Sequence, residues 1–170
     1  AHHLHATAAA LARTVTRKNG KPLREGKFDV GDAANCFRYY AGLISKPLGQ
    51  TFETPDANMQ TMVVREPIGV CGQIIPWNYP LLMAAWKLAP GLAAGNCCIL
   101  KPAEATPATA VRLFELIAEA GFPPGSAQLL LGPGPTPGSP LAARMRVDSV
   151  PFTGRTARAR ESRTVATVDE

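Results

Sequence analysis

The stretch that decides the fold is residues 68–101, IGVCGQIIPWNYPLLMAAWKLAPGLAAGNCCILK. It opens with a short apolar run, 68–75, which is typical of a buried strand. Apolar residues at helical spacing follow from Leu81 to Leu92, and a second apolar strand is predicted at 97–100. Strand, helix and strand in this order indicate a parallel pair joined by a right-handed crossover.

The same alternation continues downstream. Thr106 is expected to cap a further helix with Pro107 in its first turn, and strands are predicted at 128–131 and 147–152 around a short helix at 140–145. Repeated strand–helix units predict an α/β fold with a Rossmann-like parallel sheet and flanking helices. Such sheets bind ligands beyond the carboxyl ends of their strands.

Upstream of residue 68 the pattern differs. Helices are predicted over about 6–18 and 29–45, separated by the turn residues of Asn19-Gly20-Lys21-Pro22. The second helix is expected to bury an apolar stripe made of Phe37, Tyr40, Ala41 and Ile44. Two β-type runs around a Pro/Asp/Asn turn predict a hairpin between residues 49 and 67.

Composition narrows the class of protein. The chain has 170 residues, is 46% hydrophobic and carries a net charge of +5, as expected of a globular domain. No run approaches the length of a membrane span, and the start of the chain shows no secretory signal, so we expect a cytoplasmic protein with no membrane partner. The arginine-rich segment 155–170 lacks a nucleic-acid module, which favours a solvated tail over a nucleic-acid partner.

Cysteine and histidine patterns give little support to a metal site. The cysteines, which are Cys36, Cys71, Cys97 and Cys98, contain no C-x-x-C pair and are read as reduced, mostly structural thiols. The histidines stand together near the start of the chain and are expected to stay solvated. We therefore predict no metal.

Two polar motifs follow the predicted strands, and each has two interpretations. Lys101 and Glu104 could hold the two hydroxyls of a ribose as donor and acceptor, or form an ordinary surface ion pair. Asn78 could donate its amide to a developing oxyanion, or cap the following helix, which local physics favours. A glycine- and proline-rich loop at 132–138 is too poor in N–H groups to cradle a pyrophosphate, so it is either a rigid loop or a cofactor contact.

Read together, these motifs closely resemble the NAD-dependent aldehyde dehydrogenase superfamily, and betaine-aldehyde enzymes in particular. The resemblance runs from about Leu11 to Gly154. The segments that carry it are Asn19-Gly20-Lys21-Pro22, Phe37-Arg38-Tyr39-Tyr40-Ala41-Gly42, residues 66–81, Trp86-Lys87-Leu88-Ala89-Pro90, Gly95-Asn96, Lys101-Pro102-Ala103-Glu104 and Phe152-Thr153-Gly154.

The resemblance implies roles for individual residues. Asn78 would be the oxyanion-hole amide, and the cofactor would be NAD rather than NADP. The implied cofactor-binding residues are Ile75, Trp77, Lys101, Glu104, Gly134, Pro135, Phe152, Thr153 and Gly154. In place of the serine that usually follows the last glycine, this chain has Arg155.

The resemblance also implies an organisation and a limit. Residues 1–48 would be front helices of the cofactor domain, 49–67 an oligomerisation hairpin, 68–154 the NAD-binding core and 155–170 a divergent basic tail. An intact enzyme would oxidise a small-molecule aldehyde to a carboxylic acid as a homo-oligomer. The cysteine and glutamate that would carry this chemistry are expected later than residue 170, so the chain alone is expected to be inactive. The alternatives are a non-enzymatic dinucleotide-binding or interaction module and a broken-gene product.

Overall fold

A parallel sheet forms the centre of the computed structural model, which describes residues 1–46, 49–143 and 146–154. Its strands are β3 (Val70–Ile74), β4 (Cys97–Lys101) and β5 (Ala127–Leu129), in the order β3-β4-β5. Both pairings are parallel, with Cys71 opposite Cys98 and Leu100 opposite Leu129. The predicted α/β fold with a parallel sheet is therefore confirmed.

Helices cover both faces of this sheet. Helix α4 (Pro80–Ala93) connects β3 to β4, and α5 (Ala108–Glu119) connects β4 to β5. Because the strand order advances in one direction, right-handed crossovers place both helices on the same face. The opposite face carries a π-helical turn (Gly134–Gly138) and α6 (Ser139–Ala143). There Leu141 lies so close to Gly72 that a Cβ on Gly72 would be 3.1 Å from its side chain.

The predicted fourth strand at 147–152 is only partly correct. This segment lies beside β3 in parallel, but only two isolated bridges form, Cys71 with Ser149 and Ile74 with Phe152. Pro151 interrupts the ladder because proline has no N–H to donate, although its carbonyl still accepts from Ile74 N at 3.3 Å. The segment therefore extends the sheet on the β3 side without becoming a regular strand.

The front of the chain forms α1 (His2–Ala6), α2 (Ala8–Asn19) and α3 (Leu23–Leu43). The predicted buried stripe of α3 is only partly correct. Phe37 is partly buried against the core, but Ile44 is 61% exposed, Ala41 is exposed and Tyr40 is only half-buried. The first half of the helix is buried instead, at Gly26, Asp29, Val30, Ala33 and Ala34. Helices α2 and α4 pack on α3, and apolar spacing cannot show which end of a helix its neighbours cover.

The predicted hairpin is confirmed as an antiparallel pair of β1 (Gln50–Phe52) and β2 (Thr61–Val63). Every residue of both strands is exposed, including Phe52 and Met62. Across the ranges that the structure describes, no helix is long and apolar enough to cross a membrane. The arginine-rich tail and Arg155 lie outside the described residues.

Candidate functional site

A cleft with a volume of about 800 Å³ lies at the carboxyl ends of β3 and β4. Four segments that are far apart in the sequence form its walls. Three of them follow β3, β4 and β5, and the fourth ends the segment that lies beside β3. Nine of the ten residues proposed from the sequence line it, and they are Ile75, Trp77, Asn78, Lys101, Glu104, Gly134, Phe152, Thr153 and Gly154. The structure therefore brings together residues that span half the chain.

The first wall is the segment between β3 and α4. Ile75 is buried, whereas Trp77 is 58% exposed, and the side chain of Asn78 is exposed towards solvent at the cleft. The alternative in which Asn78 caps α4 is not what the structure shows, because Tyr79 is the N-cap and no side chain caps the helix. Within the described ranges, no hydrogen bond involves the Asn78 side chain. Its amide can therefore donate to a molecule in the cleft.

Lys101 and Glu104 form the second wall. Lys101 ends β4 and is only 5% exposed, whereas Glu104 is exposed. Burial lowers the pKa of Lys101, and the nearby Glu104 carboxylate opposes this effect without reversing it. The ion pairs within 4.0 Å among the described residues do not include these two, so the surface ion-pair interpretation is not supported. An ammonium and a carboxylate that face one cleft without neutralising each other can bind a polyhydroxylated ligand.

The glycine- and proline-rich loop contributes part of the third wall. Gly134 and Gly138 line the cleft, and Gly138 lies next to the Lys101 side chain. Pro135 is exposed and is not among the lining residues, so the structure does not bring it to the cleft. Gly132 adopts a φ of 140°, a conformation that glycine tolerates far better than other residues.

The fourth wall is the segment from Phe152 to Gly154. The Phe152 ring folds over Gly154, where a Cβ would lie 2.8 Å from the ring. The segment is anchored from α4, because Lys87 Nζ donates to the Pro151 carbonyl at 2.9 Å. Burial lowers the pKa of Lys87. Sequence reasoning assigned Lys87 no role, although a lone lysine in an otherwise apolar helix was an available signal.

Other features of the cleft were also missed. Thr106 does not cap α5 as predicted, since Pro107 occupies the N-cap position and no side-chain bond caps the helix. Its hydroxyl lies 3.5 Å from the carbonyl of Trp77 instead. Met83 and Ser139 also line the cleft, but nothing in their local sequence distinguishes them from core or loop residues.

The geometry of the cleft is that of one class of protein. A parallel α/β sheet with a cleft beyond its strand ends, lined by an amide donor and a lysine and glutamate held apart, is typical of a dinucleotide-binding domain.

Comparison with known proteins identifies the family. The model of the aldehyde dehydrogenase family matches residues 1–167, and the chain belongs to that family. It is 52% identical over 144 residues to betaine aldehyde dehydrogenase of Bacillus subtilis (strain 168), covering 85% of this chain and 29% of that protein. It is 48% identical over 149 residues to human retinal dehydrogenase 2, covering 87% of this chain and 29% of that protein.

Solved structures agree with this assignment. The crystal structure of betaine aldehyde dehydrogenase from Staphylococcus aureus in complex with NAD⁺ superposes with a TM-score of 0.95 at 41% identity, covering 98% of this chain and 33% of that one. The chain therefore spans about a third of the length of the relatives it matches, and it corresponds to their N-terminal portion.

Proposed function

We propose that this chain is the NAD⁺-binding portion of an oxidoreductase that oxidises aldehydes to carboxylic acids. The observation that carries the proposal is the cleft in which Asn78, Lys101 and Glu104 face a common space beyond the ends of β3 and β4. Because the chain spans about a third of its relatives' length, oxidation is proposed only for these residues joined to the remainder of such an enzyme.

The side chains present fit a nicotinamide dinucleotide. Lys101 is buried while its ammonium has no ion-pair partner within 4.0 Å in the described ranges, so a ligand oxygen can accept from it. We propose that Lys101 and Glu104 bind the adenine ribose, and that Ile75 and Trp77 line the nicotinamide end. A carboxylate at Glu104 would repel a 2′-phosphate, which favours NAD over NADP.

The remaining walls would enclose the ligand. Gly134 and Pro135 are proposed to contact the adenine, although Pro135 is not among the residues that line the cleft. Phe152, Thr153 and Gly154 line the cleft and are proposed to contact the cofactor. When bound, NAD⁺ supplies the hydride acceptor. The residues of this chain bind it and exclude water around it.

Asn78 is proposed to act on the aldehyde rather than on the cofactor. Its amide is a neutral donor at the cleft, and it makes no hydrogen bond to another described residue that would have to be broken. Donation to the aldehyde oxygen would stabilise the negative charge that develops there when a nucleophile attacks the carbonyl. The aldehyde itself is proposed only as a class.

We also propose that the hairpin of β1 and β2 contacts a second subunit in the intact enzyme. Its strands are entirely exposed, and Phe52, Met62 and Val63 present apolar side chains to solvent. Exposed apolar surface on a paired ribbon favours an interface.

The binding proposal is tested by calorimetric titration of the 170-residue chain with NAD⁺ and NADP⁺. We expect saturable NAD⁺ binding that weakens in Lys101→Met and in Glu104→Gln, and we expect Glu104→Gln to narrow the preference for NAD⁺ over NADP⁺. Glu115→Gln is the matched control, since Glu115 is exposed on α5 and does not line the cleft. Binding that is equally strong in all three variants would overturn the proposal.

A further inference from the structure

The turn between α2 and α3 contacts both residues that flank Asn78. Asn19, the last residue of α2, donates from Nδ2 to the carbonyl oxygen of Trp77 at 2.5 Å. Two residues later, the ammonium of Lys21 lies 3.3 Å from the centroid of the Tyr79 ring, a cation–π contact. The turn at residues 19–21 thus contacts the chain on each side of Asn78, the proposed oxyanion donor.

Lys21 is itself held in place. Its Nζ donates to Asp29 Oδ2 at 2.7 Å, and Asp29 is only 3% exposed at the base of α3. The ammonium is therefore fixed between a buried carboxylate and an aromatic face, where incomplete solvation strengthens both attractions. A lysine free in solvent would lose rotamer entropy on making either contact alone.

Apart from these contacts, the segment is fixed at its far end, where Met83 N donates to the Tyr79 carbonyl at 2.8 Å. Residues 77–79 are exposed and lie between β3 and α4, with Tyr79 as the N-cap of α4. In the described ranges, the remaining side-chain contact to the Trp77 carbonyl is that of the Thr106 hydroxyl, which is longer at 3.5 Å. Because the Asn78 side chain makes no hydrogen bond there, its direction is set by the backbone on either side of it.

We propose that Asn19 and Lys21 are positioning residues that hold the Trp77-Asn78-Tyr79 segment and so aim the Asn78 amide into the cleft. The role of Asn78 rests on the function proposed above, whereas the holding of the segment does not. Neither residue lines the cleft, so they act through Trp77 and Tyr79 and not on a ligand.

Backbone ¹⁵N relaxation of the 170-residue chain tests the proposal. In the parent, we expect order parameters of about 0.85 at residues 77–79, as in rigid backbone. Asn19→Ala should lower them below about 0.6 at these residues while leaving α2, α3 and α4 unchanged. Lys21→Arg should keep the parent values, because arginine retains the cation over the ring and the pairing with Asp29.

Two further variants keep the test decisive. Lys21→Met combined with Asp29→Asn removes the cation without leaving a buried carboxylate uncompensated, and it should loosen the segment as Asn19→Ala does. Ser126→Ala removes a 2.7 Å side-chain bond to the Pro123 carbonyl outside the cleft lining, and it should leave residues 77–79 rigid.

The outcomes separate this proposal from the binding proposal. Unchanged order parameters at 77–79 in Asn19→Ala and in the double variant would overturn the positioning role even if NAD⁺ binds. Loss of order spread over α2 to α4 would also overturn it, because Asn19 would then serve the general fold. If the parent does not bind NAD⁺, the proposed function is refuted. The relaxation data would still show whether Asn19 and Lys21 hold residues 77–79 in place.

Discussion

Replacing Gly91 by alanine probes a close contact between α4 and the sheet. A Cβ at Gly91 would lie 2.7 Å from Cys98 Sγ and 2.9 Å from Gln73 Nε2. Both partners are buried, and Gln73 is held by donation to the Lys87 carbonyl at 2.8 Å. Neither group can move aside without disturbing the core.

The expected change in the free energy of unfolding is the sum of opposing effects. Alanine in place of a helical glycine gains about 0.5–1 kcal/mol of helix stability, while overpacking costs about 1–3 kcal/mol. Displacing Gln73 would lose a further 1 kcal/mol or so, because its donation from Nε2 to the Lys87 carbonyl would be broken. We expect Gly91→Ala to lower the free energy of unfolding by about 2 kcal/mol, which corresponds to a decrease in Tm of about 4–8 °C.

Gly31→Ala is the matched control. Gly31 also lies inside a helix, α3, but a Cβ there would meet nothing within 4 Å. Gly31→Ala should therefore raise the free energy of unfolding by about 0.5–1 kcal/mol, a change opposite in sign to that expected for Gly91→Ala. Urea unfolding followed by far-UV circular dichroism measures both variants against the parent.

A double-mutant cycle identifies the cause. Cys98→Ala removes the sulfur that the new Cβ would meet, so Gly91→Ala should cost at least about 1 kcal/mol less in that background than in the parent. If Gly91→Ala is as stable as Gly31→Ala, or if its cost is the same with and without the Cys98 sulfur, the packing argument is wrong.

Three further predictions concern ionisable groups. Burial lowers the pKa of Lys101 from 10.5 in the folded chain, so the folded state binds its proton less tightly than the unfolded state does. The free energy of unfolding of the parent should therefore rise relative to that of Lys101→Met as the pH increases through the lowered pKa towards 10.5. Urea unfolding along a pH series measures both free energies, and a difference between them that does not change with pH would contradict the prediction. Cys97 is exposed and Cys36 partly exposed, whereas burial raises the pKa of Cys98 to about 12. In a chain that carries Cys36→Ser, Ellman's reagent at about pH 8 should modify Cys97 rapidly and Cys98 only on unfolding. A rapid phase that persists when Cys97→Ser is added would count against this assignment. Lys21→Met should lower the free energy of unfolding by about 3 kcal/mol, because it leaves the Asp29 carboxylate buried without its cation. Adding Asp29→Asn should restore most of that free energy, as measured by thermal unfolding. If Asp29→Asn instead causes a further, additive loss, the two residues are not coupled.

The sequence predicts most of the sheet because its strands are short apolar runs bounded by turns, a local property of residues 68–75 and 97–100. It predicts the cleft for a related reason, since Asn78 and Lys101 each follow a strand end. It misplaces the buried face of α3, where the covering helices decide which residues are buried. It also misjudges Thr106, whose hydroxyl finds a carbonyl 29 positions away in the chain instead of the local helix end.

The contacts of the turn at residues 19–21 could not be predicted in the same way. Asn19-Gly20-Lys21-Pro22 predicts the end of a helix, and Gly20 adopts the left-handed φ of 79° that ends α2. The pairing of Asn19 with Trp77 spans 58 positions, and no periodicity or spacing carries that information. The turn residues therefore predict the end of α2 but not the long-range contact between Asn19 and Trp77.

The cleft is assembled from segments that lie as far apart in the chain as Ile74 and Gly154. No single segment contains a binding surface of its own, so an unfolded chain offers the dinucleotide almost nothing to hold. Under the proposed function, nucleotide at one hundred times its Kd would add about 2.7 kcal/mol to the free energy of unfolding. The cofactor would then act as a folding partner, and cellular nucleotide levels would influence how long such a polypeptide escapes proteolysis.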